Sequence, residues 1–213
     1  MRDLLFLDLE CLRYQAKVGS FEPVTFGVGV VVTCSTATQE FAFYKGDDLK
    51  ALSTQLHAAD LVVGCNLLFD FKVLRGAGVR LSGVRALDML RPIALLVGGA
   101  MAPLYHILRG TFGWKPRLTL PQVYELTKRG DWLKAMEVCC NNVEGMRLVY
   151  HHVNEQGWLR VWRRSTTRAN SSTIIRINVR WPSKPNITIT PKEIRAIGFP
   201  IPARKKRKPR RPR

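Results

Sequence analysis

Two acids stand two residues apart in an otherwise apolar run, Leu4-Leu5-Phe6-Leu7-Asp8-Leu9-Glu10. In a strand, residues i and i+2 point to the same side, so both carboxylates share one face, about 7 Å apart, and the leucines share the other. A carboxylate beside an apolar core is costly unless it is solvated, paired or bound to a cation. A pair at this spacing can share a hard divalent ion through oxygen ligands. An amphipathic strand yields the same Asp-x-Glu pattern without chemistry, so the pair alone leaves both readings open. A second group follows in Val62-Val63-Gly64-Cys65-Asn66-Leu67-Leu68-Phe69-Asp70, where a buried strand leaves through a turn into a helix with Asp70 in its first turn. Strand ends in α/β folds are where side chains converge on a cleft. Asp70 is equally suited to capping the helix, and Asn66 to serving the turn. Asp88 ends a further strand; it reads first as a helix N-cap and second as an extra metal ligand.

These residues need a sheet to hold them. Leu4 to Leu9, Val24 to Thr33 and Ala37 to Lys45 read as a three-stranded meander, being apolar, β-branched or aromatic and divided by polar residues. Leu49, Leu52 and Leu56 fall on one face of a helix that follows Asp47 and Asp48 and runs to Ala59. A strand over Asp60–Cys65, a helix over Phe69–Gly76 and a strand over Val84–Leu87 complete the order β-β-β-α-β-α-β, an α/β fold with a mixed sheet. Beyond Asp88 the pattern predicts helices at Met89–Val97, Pro103–Phe112 and Leu120–Arg129. A long one follows over about Asp131–Gln156, striped by Trp132, Met136, Cys139, Val143, Met146, Tyr150 and Val153. That stripe reads as core. Strands are expected at Trp158–Trp162, Ser172–Trp181 and Asn186–Thr190, and a capping box at Thr190-Pro191-Lys192-Glu193 predicts a last short helix.

Charge divides the 213 residues sharply. The net charge is +18, yet residues 1–159 hold 17 basic against 15 acidic side chains, while residues 160–213 hold 17 basic residues and one acid, Glu193. We read 1–159 as one domain, 160–203 as a basic appended module, and 204–213 as a tail. That tail carries Arg204, Lys205, Lys206, Arg207, Lys208, Arg210, Arg211 and Arg213 with two prolines and nothing apolar to bury, so it is expected to be disordered alone in water. A polyanion suits such a segment, because each phosphate neutralised releases condensed counterions; DNA or RNA is the first candidate. A solubilising tail, a nuclear import signal and an anionic membrane are the other readings, the last without an amphipathic helix to support it. Trp158, Trp162 and Trp181 among Arg160, Arg163, Arg164, Arg168, Arg176 and Arg180 can stack bases while holding phosphates, or form the core of a small sheet.

No run approaches the roughly 18 apolar residues needed to span a bilayer. The opening residues place Asp3 and Asp8 where a signal peptide would be apolar, so a soluble, cytoplasmic protein is expected, or a nuclear one in a eukaryote. Five cysteines without a C-x-x-C pair suggest buried reduced thiols.

The order of these pieces resembles the ribonuclease-H-like 3′–5′ exonucleases of the DEDD superfamily, in particular the small domains found alone or beside helicases in bacteria and their viruses. Asp8-Leu9-Glu10 is similar to the first motif, and the strand followed by Asn66, Phe69 and Asp70 to the second. Ala86-Leu87-Asp88-Met89-Leu90 resembles the strand-to-helix step after it. The resemblance covers about residues 4–160. It implies a two-metal phosphodiesterase using Mg²⁺ or Mn²⁺, with Asp8 bridging the ions and Glu10, Asp70 and a fourth acid completing the shells. Two such ions, about 3.5–4 Å apart, activate a water and stabilise the attacking and leaving oxygens. It also implies nucleic-acid contacts from Asn66 and Phe69.

The third motif departs from the family. Its pattern, approximately Tyr-Cys-x-x-Asp-Val-Glu, meets Val138-Cys139-Cys140-Asn141-Asn142-Val143-Glu144 here, placing valine at the tyrosine and Asn142 at the aspartate. Valine exchanges no proton, and asparagine offers a cation only a neutral carbonyl. On a helix, Glu144 lies about 160° and Glu137 about 140° from position 142; His151 lies about 180° away, and His152 about 15 Å along the axis, so none replaces it. Two functions of different class follow. One is a metal-dependent 3′–5′ exonuclease with a weakened second metal position. The other is an inactive ribonuclease-H-like scaffold that grips DNA or RNA, with a protein partner in a larger nucleoprotein complex. The balance of residues leans to a nuclease-derived binder with reduced activity.

Overall fold

The computed structural model describes residues 2–13, 22–99, 102–114, 118, 120–164 and 172–188. Along them run β1 (Leu4–Cys11), β2 (Val28–Ser35), β3 (Phe41–Tyr44), α1 (Leu49–Ala58), β4 (Leu61–Gly64), α2 (Leu67–Gly76) and β5 (Arg85–Asp88). Then come α3 (Leu90–Leu96), α4 (Leu104–Phe112), α5 (Leu120–Arg129), α6 (Trp132–Gln156), β6 (Trp158–Arg164), β7 (Ser172–Asn178) and β8 (Ile187–Thr188). The fold is α/β, and its main sheet has the order β3-β2-β1-β4-β5-β8. β1 pairs antiparallel with β2 and parallel with β4, which pairs parallel with β5. The chain therefore leaves β1 towards one edge and returns beside it on the other, a reversal that opens a crevice at the carboxyl ends of β1 and β4.

The two-residue period of β1 sorts its side chains into two cores. Leu4 and Phe6 face a core built with Cys139, Val143, Met146 and Val149 of α6. Leu5, Leu7 and Leu9 face one built with Leu52 and Leu56 of α1 and Leu67, Phe71 and Leu74 of α2. Asp8 and Glu10 continue the row of Leu4 and Phe6 and so project beneath α6. The stripe along α6 is core as expected, with Cys139, Val143 and Met146 fully buried.

Several boundaries differ from the sequence reading. β2 starts at Val28 because Pro23–Thr25 forms a 3-10 turn, with Pro23 at its first positions. β3 starts at Phe41 because residues 36–38 turn and Gln39 takes a φ of 62°. β7 ends at Asn178, and the last strand is Ile187–Thr188. The helix signalled at Thr190 and the Arg204–Arg213 tail lie outside the described residues.

The β6–β7 hairpin packs on the body of the molecule. Leu159, Val161 and Ile177 enter the α6-side core. α4 crosses β6 so closely that a Cβ on Gly110 would stand 2.3 Å from the Arg160 carbonyl oxygen. The neighbouring Thr111 hydroxyl donates to the Arg160 carbonyl at 2.9 Å and accepts the Arg160 N–H at 3.0 Å, pairing the backbone groups that an edge strand would otherwise expose. At the far edge, the Asn186 amide accepts the Asp88 N–H at 2.8 Å and donates to its carbonyl at 2.9 Å, which fastens β8 to β5.

Candidate metal centre

The site is built where β1 meets α6. Asp8, Glu10 and Cys139 each offer a ligand atom within 4.8 Å of the other two. A bulge helps to aim Glu10: the register runs Glu10↔Val30 then Cys11↔Val28, leaving Gly29 as the extra residue. Only glycine fits there, since a Cβ would lie 2.7 Å from the Glu10 carbonyl oxygen and 3.0 Å from the Trp132 ring. On α6, Cys139 and Asn142 are three residues apart and share a face. The Asn142 amide donates to Asp8 Oδ2 at 3.0 Å, and the Cys139 sulfur lies within 4.8 Å of an Asp8 carboxylate oxygen.

Electrostatics follow from burial. Desolvation raises the Asp8 carboxyl from 3.8 to about 6, opposed by the hydrogen bonds from Asn142 and Cys139. Burial, then the negative charges of Asp8 and Glu10, push the Cys139 thiol well above its ordinary value. Asp70 is also raised well above the usual carboxylate range, by burial first and then by Asp8, Asp88 and Glu10. It is 6 % exposed, and its Oδ2 is buried without a hydrogen-bond partner. An orphaned carboxylate oxygen facing other carboxylates calls for a cation or a proton.

The remaining sequence candidates fall in distinct places. Asp88 Oδ1 accepts the N–H groups of Asn66 and Leu90, both at 3.0 Å, so it organises the turn before α2 and the start of α3. It stands outside the Asp8–Glu10–Cys139 group. Asn66 adopts a left-handed conformation, φ 65°, which turns the chain from β4 into α2. Phe69 packs edge-to-face on Phe26, ring centroids 5.8 Å apart. Val138 and Asn142 line a cavity of about 120 Å³ with Tyr105, Leu108 and Trp114. The Tyr105 hydroxyl in that wall is 2.6 Å from His106 Nε2.

Cys139 entered the sequence reading only as core and as a point of alignment, because a thiol on an apolar stripe looks like any other small hydrophobe. Its three-residue spacing from Asn142 is the signal that places both over Asp8. As a donor set, two carboxylates and a thiol fit one divalent cation, and Asp70, a predicted ligand, stands outside that group. The position expected to supply a fourth acid instead presents an N–H donor to Asp8.

The basic residues separate by face. Arg160 and Arg176 are exposed cross-strand partners, lying over Trp158 at 5.2 and 4.7 Å, and Arg109 lies over Trp162 at 4.0 Å. Arg163 turns inward to the Val97 carbonyl, Arg164 lies in β6, and Arg180 is exposed. Trp181 stacks on Tyr150 and donates to its carbonyl at 3.1 Å, a structural role. Arg204, Lys205, Lys206, Arg207, Lys208, Arg210 and Arg211 lie outside the described residues. Among the described residues no helix is long and apolar enough to cross a membrane.

No protein-family model, curated protein or solved structure matches the chain.

Proposed function

We propose that this chain is a nucleic-acid-binding protein of the 3′–5′ exonuclease type, with a ribonuclease-H-like fold and with phosphodiester hydrolysis reduced by the amide at position 142. The sheet order, the pair Asp8 and Glu10 on the central strand, and Asp70 at the β4–α2 corner support the exonuclease-type reading. The observation that carries the reduction is the 3.0 Å hydrogen bond from Asn142 to Asp8 Oδ2. It places a neutral donor against the carboxylate where two-metal chemistry needs another anion. Asp8, Glu10 and Asp70 are the residues that would hold Mg²⁺ or Mn²⁺. A bound divalent ion supplies positive charge for a phosphodiester and lowers the pKa of a water. The chain's own part is to seat the ion between β1 and α6 and to fix Asp8 through Asn142.

Nucleic-acid binding draws support from the hairpin. Like charges directly opposite across a ladder repel, so Arg160 and Arg176 over one indole gain from an anion between them, and Trp158 and Trp162 add ring faces beside the guanidinium groups. The second reading, an inactive scaffold that binds DNA or RNA in a larger complex, is favoured by Val138, which gives the cavity beside Asn142 an apolar wall in place of a proton-exchanging one.

One experiment separates the two. The protein is incubated with end-labelled single- and double-stranded DNA and RNA in Mg²⁺ or Mn²⁺, beside Asp8→Ala. Metal-dependent shortening from the 3′ end that Asp8→Ala abolishes supports the exonuclease reading. Salt-sensitive binding without shortening supports the scaffold, and absence of binding refutes both.

A further inference from the structure

We propose that Asp8, Glu10 and Cys139 form a mononuclear site containing a thiolate ligand, selective for a thiophilic divalent ion of the Zn²⁺ class over Mg²⁺. The inference rests on the proposed reading of Asp8 and Glu10 as metal ligands, replaces Mg²⁺ or Mn²⁺ as the ion preferred there, and is independent of whether the protein cleaves anything.

Three observations converge on it. First, the three donors come from two elements that pack rigidly, a central strand and a long helix, and their ligand atoms lie within 4.8 Å of one another. Second, Asp70 is 6 % exposed, has an unpartnered Oδ2 and has Asp8 as its foremost charged neighbour, so a further buried carboxylate oxygen without a hydrogen-bond partner stands near the group. Third, the Asn142 amide already donates to Asp8 Oδ2 at 3.0 Å, so one oxygen of Asp8 is engaged by the chain itself. The ligand atoms within reach of one ion are a carboxylate oxygen of Asp8, one of Glu10 and the Cys139 sulfur.

Donor chemistry then decides the ion. Mg²⁺ takes oxygen ligands in near-octahedral geometry and keeps much of its water, so a thiolate contributes little to it. Zn²⁺ accepts mixed sulfur and carboxylate donors in a four-coordinate shell, and thiolates select it, as they do Cd²⁺ and cobalt(II) in the same geometry. The Cys139 thiol, whose sulfur lies within 4.8 Å of the Asp8 and Glu10 ligand atoms, would lose its proton to solvent as the ion binds, and sulfur would take up the metal in its place. Cys140, half-buried and about 100° further round the helix, is a built-in control.

The test is a titration of the full-length, chelator-treated protein with Co²⁺ alone. A near-ultraviolet thiolate-to-cobalt charge-transfer band is expected, displaced by equimolar Zn²⁺ and retained in a large excess of Mg²⁺. Cys139→Ser should abolish the band and weaken Co²⁺ binding by at least the roughly 10- to 100-fold that loss of a supporting residue costs, whereas Cys140→Ser should keep both. X-ray absorption at the zinc edge of the unsubstituted protein should find sulfur in the first shell, which needs no variant to fold. Absence of Co²⁺ binding, binding without the band, a band that survives Cys139→Ser, displacement by Mg²⁺, or a first shell without sulfur would each overturn the proposal. Cleavage is scored separately on labelled oligonucleotides. The band without cleavage upholds this site and counts against the exonuclease reading, while Mg²⁺-dependent cleavage without the band upholds that reading and overturns this site.

Discussion

Replacing Asp8 by asparagine should stabilise the metal-free protein at neutral pH. The carboxyl stands at about 6 in the fold against 3.8 ordinarily, raised by burial. The protonated carboxyl contributes stability that is fully present below about 3.8 and is lost as pH rises through about 6. At about 1.4 kcal/mol per pH unit, the ionised group costs about 3 kcal/mol at about pH 7.5. The introduced side-chain amide retains one acceptor for Asn142, and the value of about 6 already includes the charge-assisted bonds to the ionised carboxyl, so their loss costs nothing further. The net gain is therefore about 3 kcal/mol at neutral pH, shrinking to zero or reversing near about pH 4. Urea unfolding in chelator across that range measures it. Adding a divalent ion should invert the order, because only the native protein gains by mass action from an ion held at Asp8. A variant less stable than the parent at neutral pH in chelator, or a difference independent of pH, would refute burial as the dominant influence on Asp8.

Asn142→Asp should destabilise the chelated protein by on the order of 1–3 kcal/mol at neutral pH, because it removes a donor from Asp8 and adds an anion; a divalent ion should reverse the loss, and Mn²⁺-dependent cleavage should rise. Gly110→Ala should cost about 1–3 kcal/mol and lower the melting temperature, since its Cβ would lie 2.3 Å from the Arg160 carbonyl. Arg160→Glu and Arg176→Glu should each reduce the slope of log affinity against log salt for duplex DNA by about 0.9 or more, read by fluorescence anisotropy; an unchanged slope in both would remove the hairpin from the binding surface. Asn186→Ala should lose the paired bonds to Asp88 and loosen β8, seen as faster amide exchange at Ile187 and Thr188.

Local periodicity was enough to place Asp8 and Glu10, because in a strand the face of a side chain follows from its parity. The same holds for the α6 stripe, whose three- and four-residue steps compel one buried face. The capping reading of Asp88 was legible too, since an acid at a strand end before a helix has backbone N–H groups within reach. The role of Cys139 was not. Whether a thiol on an apolar face packs or binds depends on what the opposite layer presents, and that layer is Asp8, more than a hundred residues away in sequence. Phe69 and Asn66 show the converse, with residue types suited to nucleic acid engaged in an aromatic contact and a left-handed turn.

The uneven charge likewise reads directly from composition, but the direction of each arginine does not. Arg160 and Arg163 are three residues apart, and one faces solvent over an indole while the other turns to the Val97 carbonyl. Their opposite faces follow from strand parity, but which face is covered depends on β6 packing against α4 and α6, contacts between distant segments. By itself the sequence determined the α/β order, the acidic pair on one strand face and the basic carboxyl-terminal quarter, all consequences of short-range periodicity and counting. Only the tertiary structure decided that Asn142 and Cys139 both meet Asp8, because long-range packing alone brings a helix face over a strand and sets which donors converge.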